Sequence, residues 1–70
     1  MNEIIYDTTL LQNRVNEFGY MRKDLAEKLG ISRQLFNSKL HGRVRFTITE
    51  ALILSKTLRI PVSKMGDYFT

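Results

Sequence analysis

The sequence predicts an all-α fold of four to five short helices in a single domain spanning residues 1–70. Three observations carry this. Gly19, Gly30, Gly42 and Gly66 cut the chain into helix-length pieces. Within the pieces, apolar residues recur at i and i+4 or i+7 rather than alternating. Helix-start residues stand where the pieces begin, at Asp7, Ser32 and Thr47.

The first helix is expected over about Thr8 to Phe18, with Asp7 as N-cap. Leu11, Val15 and Phe18 share one face, and Gly19 ends it. Ahead of it, Ile4-Ile5-Tyr6 in the arm of residues 1–6 suits either a packed arm or a short strand. The second helix runs from Met21 to Leu29. Leu25 and Leu29 point one way beside the small Ala26, and Asp24 and Lys28 sit at the ends the helix dipole favours. Gly30 closes it. The third helix begins at once, with Ser32 as N-cap and Ile31 as staple. Phe36 and Leu40 face inward, and Gly42 follows His41. His41 suits the dipole at the helix C-terminus. Residues 42–46 read as a loop. Thr47-Ile48-Thr49-Glu50 has the spacing of a capping box. In the fourth helix Ala51, Leu52, Leu54, Ser55 and Leu58 form the expected inner stripe, and Ile53 falls out of phase. A last short helix is expected from about Pro61 to Met65, because proline suits a first turn. Tyr68 and Phe69 follow. They and Ile53 either complete the core or form a dimer or partner interface.

Composition excludes much chemistry. The 70 residues contain no cysteine and one histidine, so neither disulfides nor the usual zinc ligand sets can form. A chain this short buries only about 60% of its unfolded surface, leaving no room for a cleft between domains. No paired carboxylates, phosphate-cradling glycine loop or nucleophile–base set is visible, so no enzyme activity and no cofactor are expected. The longest apolar run is Ala51–Leu54, far below a membrane span, and no secretory signal is evident, so a cytoplasmic location is expected.

Charge is the informative number. The net charge is +4, but residues 22–45 carry seven basic side chains against two acidic ones, net +5, and the rest of the chain is net −1. No carboxylate falls between Glu27 and Glu50. A field concentrated in this way suits a polyanion. Its location coincides with two short helices joined by Gly30-Ile31-Ser32. Such a pair needs a small residue where the helices cross, here Ala26, and a glycine in the turn, here Gly30.

The stretch Leu25-Ala26-Glu27-Lys28-Leu29-Gly30-Ile31-Ser32-Arg33-Gln34 resembles the helix-turn-helix of the phage Cro and repressor superfamily. The resemblance extends from about Leu11 to Met65 and includes Leu58-Arg59-Ile60-Pro61-Val62. More narrowly, Ile5-Tyr6-Asp7, Ser38-Lys39-Leu40-His41-Gly42 and Asp67-Tyr68-Phe69 resemble small Cro-like regulators of Gram-positive phages. The resemblance implies a lambda-repressor-like DNA-binding domain with its helix-turn-helix at about residues 21–41. It implies a transcriptional regulator that occupies a double-stranded operator through the helix 32–41. Ser32, Arg33, Gln34, Asn37 and Ser38 would then face base edges, with Arg33 suited to guanine and Gln34 or Asn37 to adenine. Arg22, Lys23, Lys39, Arg43 and Arg45 would contact phosphate. The implied assembly is a homodimer, formed in solution or only on DNA. An antirepressor that uses the same fold to bind a partner repressor protein is the alternative. Three residues depart from the pattern. Met21 replaces a capping Ser or Thr, Lys39 stands at an often apolar position, and Leu35 replaces a Ser or Thr at the edge of the DNA face.

Overall fold

A computed structural model describes residues 8–69, so Asp7 and the Ile4-Ile5-Tyr6 arm lie outside the described residues. Among the described residues five α-helices form: α1 (Thr9–Phe18), α2 (Arg22–Leu29), α3 (Arg33–Leu40), α4 (Ile48–Leu58) and α5 (Met65–Phe69). A 3-10 turn, Val62–Lys64, precedes α5. No strand occurs among the described residues. No helix among them is long and apolar enough to cross a membrane.

The core is made of Leu11 and Val15 from α1, Leu25 and Ala26 from α2, Phe36 and Leu40 from α3, and Leu54 and Leu58 from α4. α2 packs on both α3 and α4, α4 also meets α1, and α5 closes over α1 and α4. Gly30 takes the left-handed conformation (φ 72°) that the turn requires. There the Gly30 N–H donates to the Glu27 carbonyl and the Ile31 N–H to that of Ala26, the Schellman pattern. Ser32 caps α3 by accepting from the Leu35 N–H at 3.0 Å. The capping box of α4 is complete: Thr47 Oγ1 accepts from the Glu50 N–H and Glu50 Oε1 from the Thr47 N–H.

Several expectations are corrected. α1 begins at Thr9, with Thr8 at its N-cap position and no side-chain cap there. The Thr8 hydroxyl instead accepts from Gln12 Nε2. Phe18 leaves the inner face and is 38% exposed. Its ring is covered from outside by the Arg14 guanidinium at 4.8 Å and by Tyr20, stacked at 6.3 Å. The inner stripe of α4 is Ala51, Leu54, Ser55 and Leu58, at i, i+3, i+4 and i+7. Leu52 falls about 100° round the helix from Ala51 and is half exposed. Pro61 sits just before the 3-10 turn, and helix continues from there through Phe69. Tyr68 and Phe69 are half-buried and pack on the core, Phe69 edge-on to Phe46 at 5.6 Å.

α4 ends at Arg59, the one non-glycine residue with positive φ (56°) among those described. The Ile60 N–H donates to the Ser55 carbonyl, burying Ile60, and Arg14 donates to the carbonyls of Leu58 and Arg59 at 2.9 Å each. Arg14 thereby ties α1 to the end of α4. A side chain in the left-handed region costs about 1–2 kcal/mol, offset in part by the extra unfolded-state freedom of glycine. Arg59 is exposed, so Arg59→Gly loses no packing. Urea unfolding should show a gain of about 0.5–1 kcal/mol, and a loss would contradict the assigned strain.

Candidate nucleic-acid interface

Depressions along α3 that share lining residues gather four cations of the basic segment, Arg22, Lys23, Arg33 and Arg43. Arg33 and Gln34 are exposed in the first turn of α3; Asn37 and Ser38 follow, half-buried. Ser32, Gln34, Leu35 and Ser38 line one shallow depression. Gln34, Asn37, Ser38, His41 and Arg43 line the next. Arg33 and Asn37 also line a third, shared with Arg22, Lys23 and Tyr20 at the start of α2. All five side chains expected to face base edges are therefore brought together, with Arg22 and Lys23 on one flank and Arg43 on the other. Ser32 Oγ already accepts one N–H for the helix cap, so it offers a ligand its hydroxyl proton and its second lone pair.

Two polar atoms on this surface are buried without a hydrogen-bond partner: Arg22 Nε and Asn37 Oδ1. Such atoms are costly to leave unmet. One is a donor and the other an acceptor, and their side chains line the same depression. α2 starts there with no side-chain cap, since Met21 cannot supply one. A helix start without a cap, flanked by cations, favours anionic oxygen.

Lys39 is corrected. It was expected on phosphate, but it is 6% exposed and its ammonium is paired with Glu50 Oε1. Its Nζ also lies 6.0 Å from the Phe46 ring centre. Position 39 is on the inward side of α3 beside Phe36 and Leu40, so the side chain runs under the loop rather than out to solvent. The positive surface is thus one charge smaller than the sequence count. It is also cleaner, because Glu50 is buried and the next exposed carboxylate after Glu27 is Asp67. Arg45 is exposed but lies beside Val44, Phe46, Tyr68 and Phe69, apart from the α3 depressions that Arg43 joins.

Two residues join the surface without having been assigned to it. His41, exposed at the C-cap of α3, lines the depression shared by Gln34 and Arg43. Its spacing of four from Asn37 and seven from Gln34 was the available signal. Leu35, which departs from the family pattern at the edge of that face, is 37% exposed and lines the depression shared by Ser32, Gln34 and Ser38. Among the described residues no group of three or more His, Cys, Asp or Glu could hold a metal ion. No protein-family model matches the chain, and no curated protein matches it.

The Glu50 carboxyl is held below its ordinary value of 4.5. Burial alone would raise it, but the Lys39 ammonium and the Thr47 N–H and hydroxyl outweigh burial. A carboxyl depressed in the fold contributes stability that is present above its unfolded value and lost as pH falls through the lower folded value. Glu50→Gln leaves the buried ammonium without its counter-charge and should cost about 3 kcal/mol at neutral pH. The gap to wild type should begin to narrow as pH falls below about 4.5, where the unfolded carboxyl protonates, and go on narrowing until the pH passes the lower folded value, where wild-type Glu50 is itself neutral. Urea unfolding at pH 7 and pH 3 measures this; a gap that is the same at both would remove the ion pair from the account.

Proposed function

We propose that this protein is a sequence-specific double-stranded DNA-binding regulator of Cro/repressor type that reads its operator through α3. The observation that carries this reading is the outward face of α3. It is polar, free of carboxylates, centred on Arg33, Gln34, Asn37 and Ser38, and bounded by Arg22, Lys23 and Arg43. An eight-residue helix is about 12 Å long and spans roughly three to four base pairs of a major groove. In that groove the Arg33 guanidinium can donate to both O6 and N7 of a guanine, and the Gln34 amide can donate and accept on one adenine edge. Arg22 and Lys23 at the uncapped start of α2 grip one phosphate strand, and Arg43 grips beyond the other end of α3. These contacts fix the register without reading sequence.

Selection of bound duplexes from a random pool, followed by salt titration, tests the reading. The logarithm of affinity should fall by about 0.9 per phosphate contacted for each tenfold rise in salt. Gln34→Ala should cost about 1–3 kcal/mol on the selected site and relax preference at one base pair. Arg43→Ala should weaken all sequences alike and lower the salt slope by about one. Lys39→Met, assayed where it is folded, should leave that slope unchanged. Failure to bind any duplex at low salt would overturn the proposal.

A further inference from the structure

Asn37 Oδ1 and Arg22 Nε are both buried without a hydrogen-bond partner, and both side chains line the depression at the start of α2. A phosphate seated there offers acceptors only. It can satisfy the guanidinium, but it leaves the Asn37 carbonyl oxygen unmet, and covering the depression removes water as a substitute. That oxygen then needs a donor from the protein. Arg22 Nε is the one side-chain donor lining this depression that is itself buried and unmatched. The other polar side chains there, Asn16, Tyr20, Lys23 and Arg33, belong to exposed residues.

We infer that Asn37 is a positioning residue and not a base reader: when a duplex closes over the depression, its carbonyl oxygen accepts from Arg22 Nε and aims the guanidinium at phosphate. The inference rests on the proposed DNA reading. Arg22 opens α2 and Asn37 lies midway along α3, so the bond ties the two motif helices together where one of them grips the backbone. The guanidinium is a rigid plane. Holding it at Nε fixes its direction and leaves both Nη groups for phosphate oxygens.

The same burial counts against base reading by Asn37. An amide reads adenine with both ends, the oxygen accepting from N6 and the NH2 donating to N7. In Asn37 the oxygen is turned away from solvent. Reversing the amide would set its NH2 against the Arg22 Nε–H, two donors facing each other. Gln34 has no such buried, unmatched atom and is exposed in the first turn of α3. It is left as the adenine reader.

A double-variant cycle tests this, with affinities measured on the selected duplex and on an unrelated one. Arg22→Met removes the guanidinium and keeps the aliphatic stem. Asn37→Ala removes the acceptor at a half-buried position where alanine favours the helix, and melting checks that it folds. Asn37→Ala should weaken both duplexes by roughly tenfold, and the ratio between them should hold within about twofold. Added to Arg22→Met, it should cost almost nothing more, because the group it positions is already gone. A purely structural loss would instead multiply with that of Arg22→Met. In the wild-type complex, arginine-selective NMR should show a protected Arg22 Nε–H signal that Asn37→Ala abolishes. Altered preference at one base pair in Asn37→Ala, losses that multiply, or no protected signal in the wild-type complex overturns the inference and leaves the DNA reading standing. Failure of the wild type to bind any duplex at low salt overturns that reading and this inference with it.

Discussion

One carboxylate oxygen organises this fold. Glu50 Oε1 accepts from the Thr47 N–H, which closes the capping box of α4, and pairs with the Lys39 ammonium, which comes from α3. Its partners lie on either side of the loop that joins α3 to α4. Burying Lys39 also sets the rotation of α3. With positions 36, 39 and 40 turned inward, positions 33, 34, 37, 38 and 41 have only the outside to occupy. Ions are expensive to bury, and this pair is made tolerable by its extra hydrogen bond and by the Phe46 ring beside the ammonium. Replacing both partners with apolar residues would be close to neutral in stability on general grounds. The pair is therefore better understood as fixing the geometry of α3 against α4 than as holding the protein together.

What was legible in the sequence was local. Gly30, the Ser32 cap and the Thr47–Glu50 box are each decided by a few neighbouring residues and by backbone sterics, and each forms as expected. The core positions Leu11, Val15, Leu25, Phe36, Leu40, Leu54 and Leu58 follow from helical period for the same reason. Lys39 was misread because its partner is eleven residues away on another helix, and charge patterning cannot distinguish a paired lysine from a free one. Phe18 keeps the i+7 spacing from Leu11 but is the last residue of α1 and stays partly exposed, while Leu52 stands one residue off the inner stripe beside Ala51. Arg59 carried no signal at all, since the left-handed conformation it adopts is usually advertised by glycine.

Arg43 and Arg45 show the same limit at the candidate site. Two residues apart in the same loop, they are not distinguished by residue type or charge. The loop conformation separates them, placing Arg43 on the α3 surface and Arg45 among the aromatics near α5. The proposed reading accordingly leans on Arg22, Lys23 and Arg43, and the polyanion-facing charge belongs to fewer residues than the +5 segment suggested. Those that remain are concentrated at the two ends of α3, where they constrain its direction along a groove as well as its affinity.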